Sequence, residues 1–230
     1  MTPTLTVSDE VRALAPGFTH VAVEAHGLVN GPSTEATSTL LDDAGRRLAR
    51  RLDGRSPHED PHMAAWRDIY TAFGSKPSRT RNSAEALARR ALADSGLPRI
   101  NVLVDLYNAV SVARLIPVGG EDTDRIRGAM RLVRARGDED FVTVAGGAEV
   151  VEHPDAGEVV WCDDEGVTCR RWNWRQGPRT RLTEESVSAL FLLESLAPMP
   201  VADVESAGAE LAELLEKFSP GARITVHAPE

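Results

Sequence analysis

Three stretches of the chain carry side chains whose types and spacing suit chemistry. The first is Arg99-Ile100-Asn101-x-x-x-Asp105-x-x-Asn108. On a helix, intervals of four and three residues place Asn101, Asp105 and Asn108 on one stripe, beside the apolar stripe of Leu103, Leu106 and Val110. Such a stripe lines a pocket or holds its backbone. The alternative is a solvated outer face, with Asn101 serving only as the helix N-cap. The second stretch is Pro117-Val118-Gly119-Gly120-Glu121-Asp122. Adjacent glycines let backbone amides approach a ligand, and Glu121 or Asp122 sets a carboxylate beside them, where an ammonium group would bind. The alternative is a helix-to-strand turn with solvated acids.

The third stretch is Cys169-Arg170-Arg171-Trp172-Asn173-Trp174-Arg175-Gln176. If extended, it turns Trp172 and Trp174 to one face and Arg171, Asn173 and Arg175 to the other. Aromatic rings beside arginines suit stacking on an unpaired base and contact with phosphate. The alternative buries the tryptophans in the core and leaves the arginines in solvent.

Other chemistries find little support. His58-Glu59-Asp60-Pro61-His62 holds metal-ligand types, but Pro61 disturbs the helical spacing that would converge the two histidines, so no metal site is expected. Cys162 and Cys169 flank an expected hairpin turn and are read as reduced thiols. There is no Gly-x-Ser-x-Gly elbow and no Gly-Lys-Ser/Thr phosphate loop, and no cofactor is expected.

The bulk properties bound the class. The chain has 230 residues, 42% hydrophobic and 27% charged, with a net charge of −9. That excludes a disordered or collagen-like chain and opposes nonspecific coating of nucleic acid, which needs many cationic contacts. The charge is uneven, however. Lys76, Arg79, Arg81, Arg89, Arg90 and Arg99 cluster in one stretch, and Arg170, Arg171, Arg175, Arg179 and Arg181 lie in another without an acid among them, so a local basic face is compatible with an acidic protein. No apolar run reaches the roughly 18 residues of a membrane span. With two cysteines and no signal-peptide pattern at the start, a cytoplasmic protein is expected.

These motifs need elements to position them. Alternation predicts a strand over residues 18–30. Ser33 or Thr34 caps a helix running to about Leu52, and further helices are predicted over 63–73, from Asn82 or Ser83 to 93, and over 101–113. The middle changes period: 130–134, 141–144, 158–162 and 167–172 are short and β-rich, separated by turn residues, and suggest a meander. Residues 183–196 suit a helix or a buried strand equally. An amphipathic helix over 203–218 and a strand at 224–227 close the chain. Helices followed by strands indicate an α+β fold.

Taken together, Gly96-Leu97-Pro98-Arg99-Ile100-Asn101-x-x-Val104-Asp105-x-x-Asn108, then Pro117-x-Gly119-Gly120-x-Asp122-x-Asp124-x-Ile126, then Phe141-x-x-x-x-Gly146-x-x-Glu149 resemble the B3/B4 domain of the phenylalanyl-tRNA synthetase beta subunit. The resemblance runs from about Ala65 to Leu196, and the run from Cys169 to Gln176 is similar to free-standing proteins of this group. It implies an α+β fold with a central β-sandwich flanked by helices. Residues 61–230 would form the B3/B4-like domain, and residues 1–60 would add a strand and a helix packed on it.

In the synthetase this domain hydrolyses tyrosine wrongly attached to the phenylalanine tRNA. A free-standing copy would therefore edit in trans, at the acceptor end of a mischarged tRNA carrying an aromatic or related amino acid, and would not be a ligase. Two positions depart from the bacterial motif: Gly119 stands where the family carries a histidine, and Tyr107 where it carries a threonine. The family's catalytic groups do not carry over there, whereas Asn101, Asp105, Asn108 and Asp122 match. On this reading Glu121 and Asp122 handle water or the ammonium group. Asn101, Asp105, Asn108, Gly119, Gly120 and Asn173 shape the substrate site, and Arg170, Arg171, Trp172 and Arg175 meet the tRNA, with no metal and no cofactor. The alternatives are a noncatalytic module binding an amino acid or a tRNA acceptor end, and an interaction protein docking through its acidic last helix.

Overall fold

The computed structural model describes residues 4–229; residues 1–3 and 230, the outer ends of the two expected segments, lie outside it. In chain order the elements are β1 (Leu5–Val7), α1 (Asp9–Leu14), β2 (Thr19–His26), α2 (Glu35–Leu52), α3 (Pro61–Ala72), α4 (Ser83–Ala91) and α5 (Val102–Arg114). There follow β3 (Val118–Asp122), β4 (Met130–Arg134), β5 (Phe141–Ala145), β6 (Ala148–Glu152), β7 (Val159–Cys162), β8 (Val167–Arg170), β9 (Arg175–Gln176), β10 (Ser188–Ser195), α6 (Val201–Phe218) and β11 (Arg223–Val226).

The helix starts follow from their caps. Thr34 accepts from the Thr37 amide while the Thr37 hydroxyl accepts from the Thr34 amide, closing a capping box on α2. Asn82 and Asn101 cap α4 and α5 in the same sense. Helix α5 is buried on nearly every side, because α2, α4, α6 and β3 all pack on it.

Two larger sheets form the α+β body. One has the order β1-β4-β7-β8-β9, with β1 parallel to β4 and the rest antiparallel; the other is antiparallel throughout, in the order β11-β2-β10-β3. β10 has a buried neighbour on both faces, which explains its near-continuous apolar run. Ala189, Phe191 and Leu193 join the core formed with α5 and α6. Leu190 and Leu192 join the core that contains Met130, Leu132, Val159 and Trp161 of the first sheet. The two sheets are thus layers of a sandwich with helices outside.

Several expectations are revised. Residues 188–195 are a strand, settling the ambiguous segment. Gly119 and Gly120 lie inside β3 rather than in a turn. The meander is interrupted, because β5 and β6 pair only with each other and β1 joins the sheet from the other end of the chain. The strand expected over 167–172 stops at Arg170, since Arg171 (φ 46°) and Trp172 (φ 66°) take the left-handed conformation and turn the chain into β9. Among the described residues no helix is long and apolar enough to cross a membrane.

Candidate functional site

A cavity of about 370 Å³ opens where α4, α5, β3, β10 and the turn between β8 and β9 meet, at the small end of the range for ligand pockets. Its floor is the pairing of β3 with β10. Gly119 lies opposite Leu192 and Glu121 opposite Leu190, and the Glu194 amide donates to the Pro117 carbonyl. Strand alternation therefore puts Gly119, Glu121, Leu192 and Glu194 on one face. A Cβ at Gly119 would meet no atom within 4 Å, so this stretch of bare backbone leaves the chamber open between two carboxyl groups. Gly120 faces the other way and is tightly packed: a Cβ there would lie 2.9 Å from Leu182 Cδ1 and 3.1 Å from Tyr107 Cε1.

Glu194 is 2% exposed. Its Oε1 accepts from the indole N–H groups of Trp161 (2.9 Å) and Trp172 (3.0 Å), and its Oε2 accepts from Asn173 Nδ2 (3.0 Å). Asn173 Oδ1 in turn accepts from the Tyr70 hydroxyl at 2.8 Å. Burial pushes the Glu194 carboxyl up to about 7, and the three donors oppose that rise. Glu121, 5% exposed, is pushed by burial to about 8, with Thr180 and Gln176 beside it offsetting part of the effect. Its Oε2 has no hydrogen-bond partner among the described residues. Gln176 Nε2 also donates to the Gly120 carbonyl at 2.8 Å. Neither carboxyl forms an ion pair among the described residues.

Cys169 and Tyr107 also line the chamber; burial raises both, and the neighbouring Glu121 raises them further, so both stay protonated. Ser83, Leu87 and Arg90 of α4 come in from one side, spaced for a single helix face, and Trp174 and Arg175 from another. The buried Ser83 hydroxyl oxygen also has no partner among the described residues.

Of the residues singled out from sequence, Asn108, Gly119, Glu121, Trp172, Asn173 and Arg175 line this cavity. The others lie elsewhere. Asn101 caps α5, accepting from the Val104 amide at 3.0 Å and donating to the Leu182 carbonyl at 3.3 Å. Asp105, 0% exposed, accepts from the Thr37 hydroxyl (2.8 Å) and the Ile100 amide (3.1 Å), fastening α2 to α5. Asp122 accepts from the Ser186 hydroxyl (2.6 Å) and the Asp124 amide (3.0 Å) and shapes the turn after β3.

The arginines are largely spoken for. Arg170 holds Glu158 through two nitrogens at 2.9 and 2.8 Å and Glu152 at 2.9 Å. Arg171 pairs with Asp155 and Glu158 at 3.5 Å, and Arg175 with Glu152 at 3.6 Å. Trp172 is core, its ring 5.0 Å from Phe18 and 5.2 Å from Trp66. The left-handed turn separates it from Trp174, so the two rings do not share one strand face.

Glu194 and Trp161 line the chamber without having been singled out by any sequence motif, and Tyr107 enters the motifs only as a departure from the family pattern. A single acid inside Ala189-Leu190-Phe191-Leu192-Leu193-Glu194 is the signal that would have found the first. Among the described residues no group of three or more His, Cys, Asp or Glu could hold a metal. His62 is buried; its Nδ1 donates to the Leu115 carbonyl at 3.1 Å, and its Nε2 accepts from Trp66 Nε1 at 3.0 Å and from the Leu196 amide at 3.2 Å. Burial lowers it to about 4, a neutral structural histidine. Cys162 and Cys169 are free thiols, and the register sets Trp161 opposite Cys169.

No curated protein matches this chain. Among solved structures, an N-terminal fragment of the phenylalanyl-tRNA synthetase beta subunit from Pyrococcus horikoshii is similar at 13% identity and a TM-score of 0.46, over 97% of this chain and 50% of that one. The chain thus spans about half the length of that fragment. A family model described as the B3/4 domain matches residues 65–218, which include α4, α5, β3, β10 and every cavity residue named above. On that match, the chain belongs to the B3/4 domain family.

Proposed function

We propose that the protein edits aminoacyl-tRNA in trans, hydrolysing the ester between a wrong amino acid and the terminal ribose. The observation that supports this most is the open floor at Gly119, flanked on the same sheet face by two buried carboxyl groups. An aminoacyl ester is already activated. Its hydrolysis needs a placed water and donors for the developing oxyanion. Water oxygen attacks the ester carbonyl, the carbon–oxygen bond to the ribose breaks, and the ribose oxygen takes the proton, leaving free amino acid and tRNA.

Glu121 is the candidate to orient that water or hold the ammonium group, since a carboxyl titrating near 8 exchanges a proton readily at physiological pH. The side-chain amide of Gln176, which lines the cavity, is the candidate oxyanion donor; the Gly119 amide is engaged with the Leu192 carbonyl in the β3–β10 ladder. The Gly146-Gly147 turn of the β5–β6 hairpin does not line the cavity and takes no part. Exposed Arg90 and the ring of Trp174, which line the cavity, are the candidates to meet the terminal phosphate and adenine. Incubation with a panel of mischarged tRNAs tests the proposal: at least one ester should be cleaved faster than in buffer, and Glu121→Gln should slow it. A blank across the panel rejects it.

A second reading is favoured by Gly119, which stands where the resembling synthetase domain carries a histidine. On that reading the cavity binds an aminoacyl end without turning it over. Calorimetry would then show saturable binding with no ester cleaved.

A further inference from the structure

We propose that the amino acid admitted to this chamber carries two positive charges, its α-ammonium and a second cation at the end of its side chain, one held at each of Glu121 and Glu194. The inference rests on the reading that the chamber takes an aminoacyl end.

Both carboxyl groups are more than nine-tenths buried, and neither has an ion-pair partner among the described residues. Protein interiors compensate buried acids with a cation or leave them protonated. Glu121 Oε2 makes no close hydrogen bond among the described residues, although Thr180 and Gln176 lie beside it, and a ligand donor would satisfy it. Glu194 receives three donors, all neutral, out of about four positions that a carboxylate offers. The cations nearby are not ion-paired with these acids: Arg179, whose charge acts on Glu121, is paired with Asp163, Arg175 leans on Glu152, and Arg90 stands exposed at the mouth.

Spacing and lining agree with a long, doubly charged guest. Glu121 pairs with Leu190, and Glu194 lies four residues further along β10, which is about 13 Å at a strand's rise. That is a separation of backbone positions; the terminal nitrogens of an extended dibasic amino acid are roughly 7 Å apart, and with a hydrogen bond of about 3 Å at each end such a guest can reach carboxyl groups projecting from positions that far apart. Between the two acids the chamber presents Leu192, Val104, Leu87 and bare Gly119, an apolar channel that suits a methylene chain. A neutral aromatic side chain, the expectation carried from the sequence, would leave Glu194 with its three neutral donors and no cation.

The test uses the full chain and non-hydrolysable 3′-aminoacylamino-adenosines carrying arginine, citrulline or tyrosine. Citrulline has the shape of arginine without the charge. Calorimetry at pH 8 should give arginyl binding roughly tenfold to a hundredfold tighter than citrullyl or tyrosyl. Glu194→Gln, checked for folding by thermal melting, should remove most of that gap. The wild-type contrast stands alone if the variant fails to fold. Equal binding of the citrullyl compound, tighter binding of the tyrosyl one, or no binding of any would overturn the proposal. Cleavage of mischarged tRNA without an arginyl preference sinks only this inference; an arginyl preference without cleavage sinks only the hydrolase reading.

Discussion

Asn173 donates its amide to Glu194 at 3.0 Å and so fastens the left-handed turn after β8 to the far end of β10. The same carboxylate holds the indoles of Trp161 on β7 and Trp172 in the turn, and Tyr70 of α3 steadies Asn173 from behind. One buried acid thus sets the mutual position of four parts of the fold. Glu194→Ala strips three buried donors of their acceptor and should destabilise the protein by about 3–5 kcal/mol. Asn173→Ala, which leaves the indole bonds in place, should lose about 1–3 kcal/mol. Urea denaturation of the two variants checks both size and order.

The indoles bonded to Glu194 also report its charge. Titration of that carboxyl near 7 should appear as a sigmoidal change in intrinsic tryptophan fluorescence between about pH 6 and 8. Glu194→Gln, having no proton to lose there, should flatten it. A wild-type signal without a midpoint in that interval would contradict the environment described for Glu194.

Stability should fall as the solution becomes more alkaline. Glu121 and Glu194 have folded pKa values of about 8 and about 7, above their ordinary 4.5, so the folded chain binds more protons than the unfolded chain between those limits. Their contribution is fully favourable below about 4.5 and is lost progressively as pH rises to 7 and 8. In the middle of this window, well above 4.5 and still below the folded value, each group contributes a slope approaching about 1.4 kcal/mol per pH unit. Glu121→Gln should therefore be relatively more stable than wild type at pH 8.5 than at pH 5. Melting curves at the two pH values decide it.

Adjacent glycines give a sharp contrast. At Gly119 a side chain meets open chamber, so Gly119→Val should change stability by no more than about 0.5 kcal/mol while blocking ligand entry. At Gly120 even a methyl group runs into Leu182, Tyr107 and Phe191, and Gly120→Ala should cost about 1–3 kcal/mol. Denaturation and ligand titration of both variants separate the two roles; a Gly119→Val protein that still binds would place the ligand elsewhere.

The sequence carried local structure well and partnership poorly. Helices α2, α3, α4 and α5 were legible because their signals are local: Thr34, Asn82 and Asn101 are cap residues, and apolar residues recur at helical intervals behind them. Gly119, Glu121 and Asn173 were found because their types are unusual in their setting. The fate of Arg170 could not be read, since Glu152 and Glu158 reach it only through the pairing of β5 with β6 and the chain leading into β7. Glu194 is not legible from sequence because an acid in a strand is ordinary on a solvated face, and only the sandwich shows that both faces of β10 are covered. Asp105 looked like a ligand-facing acid until α2 supplied Thr37 as its partner.

The two kinds of arginine around the site should separate cleanly. Arg170 is 6% exposed and locked to Glu158, so Arg170→Ala leaves a buried acid uncompensated and should destabilise the fold by about 3–5 kcal/mol. Any loss of tRNA binding in that variant would follow loss of structure. Arg90 is exposed at the mouth of the cavity without an ion-pair partner among the described residues, and Arg90→Ala should leave stability within about 0.5 kcal/mol of wild type. If Arg90 meets a phosphate of the acceptor end, its removal should weaken tRNA binding across sequences and make the dependence of log affinity on log salt shallower by about 0.7–1. Binding isotherms at several salt concentrations, together with melting curves, test the assignment; an unchanged salt slope in Arg90→Ala moves the nucleic-acid contact away from α4.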